Sequence, residues 1–97
     1  MHQTTATFRL AGDVEEPKIG WVRSGYAPHH KFASVDYLVS GFHSYDDEVL
    51  HYPGETLNAR IRFPSWDGFC DSVKVGDSFE MFELDRLIGH GKIDEIF

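Results

Sequence analysis

Between Thr56 and Phe63 the chain alternates without error: Leu57, Ala59, Ile61 and Phe63 are apolar, while Asn58, Arg60 and Arg62 are polar. Successive side chains of an extended strand point to opposite faces, so one face of this segment meets a core and the other meets water or a partner. A slip of one residue would bury both arginines, which pins the register. A similar run lies near the start, where Ala6, Phe8 and Leu10 alternate with Thr5, Thr7 and Arg9. The stretch from Val75 to Phe97 reads as two alternating strands joined by a tight turn, leaving through Gly89-His90-Gly91.

The remaining segments are less regular. His30 to Phe42 favours extended structure, with Val35, Tyr37 and Val39 on one side and Asp36, Leu38 and Ser40 on the other. A charged loop over 12–18 precedes a short expected strand at Ile19 to Val22. Turn signals fall at Ser24 to Pro28, Ser44 to Glu48, Tyr52 to Glu55, Pro64 to Gly68 and Lys74 to Asp77. No segment keeps a helical period for three turns. The nearest, Asp46 to Leu50, is short and runs into Pro53, so it allows a single helical turn at most. Short strands with frequent turns and no covering helices predict an all-β fold, a small closed antiparallel β-barrel of about six strands. Closure also removes exposed edges.

Composition agrees with that picture. A chain of 97 residues, 41% hydrophobic and with 8 Phe, 4 Tyr and 2 Trp, has room for one aromatic core, so residues 1–97 are expected to form a single barrel domain. The formal net charge of -7 repels phosphate backbones and attracts basic partners, which argues against unaided nucleic-acid binding. Cys70 is alone and has no second thiol for a disulfide or a metal, which fits a reducing compartment. Met1 to Thr7 has neither the basic start nor the apolar run of a secretory signal, and no apolar run is long enough for a bilayer helix. The expected location is cytoplasmic, with no membrane attachment.

The closing stretch, with Gly76, Phe79, Glu83, Arg86, Gly89 and Gly91 in that order, resembles the last hairpin of the C-terminal β-barrel of elongation factor Tu and related translation GTPases. The similarity reaches upstream. Ser24 to Phe32, with Tyr26, Pro28 and Phe32, looks like the segment entering a strand of that barrel, and Val35 to Gly41 looks like that strand and its terminal Gly. Pro53-Gly54-Glu55 resembles the Pro-Gly-Asp turn of the family. The resemblance implies a free-standing barrel of the same kind, working through protein contacts with the translation machinery. It does not carry over nucleotide or tRNA binding. No phosphate-cradling Gly-x-x-x-x-Gly-Lys-Ser/Thr loop is present, and Ala27 stands where the family has an Arg between the Tyr and the Pro.

Catalytic signals are weak. There is no Gly-x-Ser-x-Gly elbow, Cys70 has no nucleophile signature, and the paired acids Glu15/Glu16, Asp46/Asp47 and Asp94/Glu95 read as solvated. The six histidines show no ligand spacing. A metal site would have to be assembled from separate loops, with His43, His51 and Asp46, Asp47 or Glu48 the best placed, and neither a metal nor a cofactor is expected.

The reading is therefore a non-catalytic protein-binding module. Trp66, Phe69, Tyr26, His29 and His30 are its expected contact residues, and its partner is a translation factor or a toxin. Trp66 has a second reading, as a plug folded back on one end of the barrel. Arg60 and Arg62 form a local basic stripe, which acidic cross-strand neighbours would neutralise. Two alternatives stand beside this one: an immunity or antitoxin protein neutralising a basic toxin, and a small hydrolase or ligand-binding barrel using a histidine and acid cluster.

Overall fold

In the computed structural model, which describes residues 2–11 and 22–97, seven strands follow one another. They are β1 (Thr4–Leu10), β2 (His29–Phe32), β3 (Val39–Ser40), β4 (Phe42–Ser44), β5 (Thr56–Arg62), β6 (Ser78–Glu83) and β7 (Arg86–Ile96). The only helical pieces among the described residues are two short 3-10 turns, Trp66–Gly68 and Cys70–Ser72. All pairings between strands are antiparallel, in the order β3-β2-β6-β7-β1-β5-β4.

The two ends of that order are separated in sequence by one residue, Gly41, so the sheet curls until its edges meet. Backbone bonds carry the pairing across the join. Gly41 N donates to Pro28 O at 3.2 Å, and His43 N donates to Tyr26 O at 2.8 Å. A small sheet curled this far must fill its interior with side chains. Phe8, Phe32, Phe63, Ile61, Met81, Ile88 and Ile93 do so, at 0–1% exposure. Each such side chain contributes about 2–3 kcal/mol by leaving water.

The alternation read from sequence holds in β1 and β5. Ala6, Phe8 and Leu10 point in with Leu57, Ala59 and Ile61, and the partner register sets Ala6 opposite Ala59 and Phe8 opposite Leu57. The final hairpin is β6 and β7, joined at Leu84 and Asp85, where Leu84 takes a left-handed φ of 57°. Gly91 sits opposite both Phe8 and Phe79. A Cβ there would lie 2.3 Å from Phe79 Cζ, so the missing side chain is the space the Phe79 ring occupies. Register shifts at Thr5/Ala6 and Met81/Phe82 bend the strands around the barrel.

The single strand expected from His30 to Phe42 is not one strand. The chain turns after Phe32, with Val35 N bonded to Phe32 O at 3.1 Å, and β3 returns antiparallel to β2, pairing Val39 with His30. Val35 is buried while Asp36, Tyr37 and Leu38 are exposed. Extended propensity alone did not reveal a turn without Gly or Pro. The expected loop over 12–18, Ile19 and Trp21 lie outside the described residues. Val22 is described, as an isolated bridge to His51.

Candidate functional site

Strand parity decides which histidines face inward. His30 and Phe32 share the inner face of β2, and His43 follows Val39 and Gly41 on the inner face of the β3–β4 run. Their rings meet inside the barrel, His30 Nε2 to His43 Nε2 at 2.8 Å. His30 Nδ1 lies 3.2 Å from Val39 O, and His43 Nδ1 lies 3.1 Å from Tyr45 Oη. A carbonyl can only accept, so Val39 O sets the direction of the chain. Tyr45 O–H donates to His43 Nδ1, His43 Nε2–H donates to His30 Nε2, and His30 Nδ1–H donates to Val39 O. Both rings are neutral, and every polar atom of the pair is satisfied.

Burial pushes His30 down to about 4 and holds His43 well below its ordinary 6.5. Gly41 makes room for the pair. A Cβ on it would stand 2.7 Å from His30 Cε1 and 2.8 Å from Phe63 Cε1.

Two further polar clusters lie around the barrel wall. Tyr26, edge-on to His43 at 5.9 Å, donates its hydroxyl to Glu83 Oε2 at 2.6 Å. The other oxygen of Glu83 accepts from Arg86 Nη2 at 2.7 Å across the β6–β7 turn. Burial, then the Glu83 carboxylate, raises the Tyr26 pKa far above its usual value. His51 is set between Asp47 Oδ1 at 2.8 Å and Glu55 Oε1 at 3.1 Å, and its hydrogen bonds to Glu55 and then Asp47 raise its pKa.

His43 and His51 are therefore not one cluster: Tyr45 stands between them, bonded to the first and edge-on to the second at 5.7 Å. Among the described residues, no three His, Cys, Asp or Glu side chains are grouped to hold a metal ion.

The expected contact residues separate on folding. His30 is fully buried, and Phe69 is buried against Phe32, Phe63 and Trp66. Trp66 stacks on Phe63 at 5.8 Å and 21°, so its ring folds back on the barrel with one face partly open. Tyr26 is committed to Glu83, and His29 is half-buried at the start of β2.

What sequence reasoning missed is the outer face of β4 and β5. Arg62 pairs with Phe42, and Arg60 with Ser44 on one side and Thr5 on the other. No acid stands at these cross-strand positions, so cross-strand pairing does not neutralise the stripe. The Arg62 guanidinium lies over the Phe42 ring at 4.5 Å, with Phe42 40% exposed. With His2 and Ser44 these residues line a shallow pocket of about 270 Å³. The signal was present in the sequence: with Val39, Gly41, His43 and Tyr45 on one parity, Ser40, Phe42 and Ser44 fall on the other.

No protein-family model and no curated protein sequence matches the chain. Among the described residues, no helix is long and apolar enough to cross a membrane.

Proposed function

We propose that the chain is a non-catalytic protein-binding module, a barrel of the kind found at the C-terminus of elongation factor Tu, making contacts with a protein of the translation machinery. The observation that carries the binding half of this reading is the Phe42, Arg60 and Arg62 face. Arginine and aromatic side chains dominate binding energy at interfaces, and here they lie together on an outer sheet surface. Among the described residues no carboxylate forms an ion pair with either arginine. The polar groups inside, by contrast, are spent on one another.

The scaffold half rests on the residues that carry the resemblance and on the shape they give. Glu83 and Arg86 tie the hairpin turn, Gly76 supplies a left-handed φ of 92°, and Gly91 makes room for Phe79. Such positions speak to a scaffold, and a partner must be found by its contacts.

The test is an affinity pull-down with the tagged protein from lysate of its source, with and without nuclease, followed by mass spectrometry. Recovery of one stoichiometric, nuclease-resistant protein is expected, and its identity separates a translation factor from a basic toxin. A pull-down that returns no protein above the untagged control overturns the reading.

A further inference from the structure

The outer face of β4 and β5 has a chemistry of its own. In a chain of net charge -7, Arg60 and Arg62 stand two residues apart on one strand face, so both guanidinium groups extend over the same surface. Their neighbours across the sheet are Thr5, Ser44 and Phe42. Acids border Arg60 as well. Asp46, Asp94 and Glu95 share with Arg60 the rim of a second shallow pocket of about 440 Å³. Asp94 there accepts from Thr7 at 2.7 Å and Glu95 from Thr5 at 3.0 Å, and none forms an ion pair with either arginine.

Aromatic surface borders the pair. Phe42 is 40% exposed beneath the Arg62 guanidinium, and His2 stands edge-on to the exposed Phe97 at 5.2 Å.

We propose that this face docks a short acidic segment of a partner protein, one that sets carboxylates on Arg60 and Arg62 and an apolar side chain on Phe42. This rests on the reading of the chain as a protein-binding module and names the kind of surface it recognises. Charge complementarity selects the occupant. On the Phe42 side, where no acid lines the pocket, a basic segment is repelled by two guanidinium groups without an ion-pair partner, whose planar forks match carboxylates bidentately.

A polyanion such as a nucleic acid is disfavoured by the field of the whole molecule. A segment with one or two carboxylates meets less of that field, because no acid lines the pocket beside Phe42 and Arg62 and exposed charges more than about 8 Å away are largely screened at physiological ionic strength. A small free anion finds no enclosure here, since the pocket is open and shallow. The apolar contact with Phe42 is what a peptide adds.

The test is an NMR titration of the intact, isotope-labelled protein with a capped Glu-Leu-Glu peptide. A capped Lys-Leu-Lys peptide, inorganic phosphate and a short single-stranded oligonucleotide serve as comparisons. The expected result is saturable shifts confined to the amides of Phe42 to Ser44 and Arg60 to Arg62, weakening as salt rises. A double variant, Arg60→Glu with Arg62→Glu, is expected to lose at least about tenfold in affinity. Phe42→Ala reduces the peptide's affinity while leaving any response to phosphate unchanged. Each variant's urea midpoint serves as the check that the barrel remains folded.

Shifts centred elsewhere, an unchanged double variant, or equal response to phosphate, to the oligonucleotide or to the basic peptide overturns the proposal. The same double variant enters the pull-down. A partner retained equally by wild type and variant leaves the module reading standing and removes this face from it. A partner lost only by the variant supports both. A wild-type pull-down without a partner overturns the module reading, and the titration then judges the face by itself.

Discussion

Between His30 Nε2 and His43 Nε2, 2.8 Å apart inside the barrel, there is room for one proton. A second proton between them would set two donors against each other and break the contact, and a proton added at His43 Nδ1 instead would place a charge in a site without water's screening. The pair therefore ties the fold to pH. Both histidines have folded-state pKa values below their ordinary 6.5, His30 at about 4. Below pH 6.5 the unfolded chain takes up protons that the folded one refuses. The stabilising contribution is complete above pH 6.5 and is lost as pH falls, through about 4 for His30 and through a likewise lowered value for His43. Urea unfolding followed from neutral to acid pH measures this slope. A flat profile would remove the buried neutral pair.

Breaking the pair from one side is expected to cost more than removing it. His43→Phe leaves His30 Nε2 without its donor and Tyr45 without its acceptor, an expected loss of about 2–3 kcal/mol. Adding His30→Phe removes the orphaned group, so the double variant should lose less than the sum of the two single losses. The same double variant should also lose the part of the acid slope that begins at pH 6.5, leaving the part that the Asp47 and Glu55 carboxylates cause at lower pH. A double-mutant cycle by urea unfolding checks both, and strict additivity would mean that the rings are not coupled.

His51 works in the opposite sense. Its contacts with Glu55 and Asp47 raise its folded-state pKa above 6.5. Its contribution is complete below pH 6.5 and is lost as pH rises through the raised value. His51→Gln is expected to flatten the alkaline side of the stability profile and, because the hydrogen bond from His51 is also what most lowers the Asp47 carboxyl, to weaken the loss that this carboxylate causes at acid pH. A variant whose acid side alone moves would contradict this assignment.

Two glycines are expected to reject even a methyl group. Gly91→Ala would set a Cβ 2.3 Å from Phe79 Cζ, and Gly41→Ala would set one 2.7 Å from His30 Cε1. Each is expected to destabilise by about 1–3 kcal/mol, since a close-packed core relaxes only by displacing rings. Gly68→Ala, at a position with open space around it, is the control and should change little. Thermal unfolding of the three variants ranks them.

Leu84 stands at the tip of the β6–β7 turn, 82% exposed and with a φ of 57°. Asn tolerates that conformation better than Leu, and no buried contact is lost in the exchange. Leu84→Asn is expected to raise stability by about 0.5–1 kcal/mol in chemical denaturation. A loss instead would mean that the exposed side chain has a packing role.

Local pattern determined most of the architecture. The alternation of β1 and β5, the closing hairpin and the lack of any helical period specify an all-β chain, because periodicity is a property of neighbouring residues. The turns at Gly54 and Gly76 were equally legible, since each needs a left-handed backbone that Gly supplies.

Other features depend on residues distant in sequence. The break of the expected strand from His30 to Phe42 into β2, a turn and β3 carries no Gly or Pro to announce it. His30 reads locally as one of six histidines, and His43 only follows the parity of its strand. That their rings share a proton depends on the closing of the barrel at Gly41, which sets β2 beside the β3–β4 run. The Phe42, Arg60 and Arg62 face likewise needed the pairing of β4 with β5 to place Thr5, Ser44 and Phe42 beside the arginines instead of acids. Sequence sets which way a side chain points within its own strand, whereas its neighbours across the sheet are set by long-range pairing.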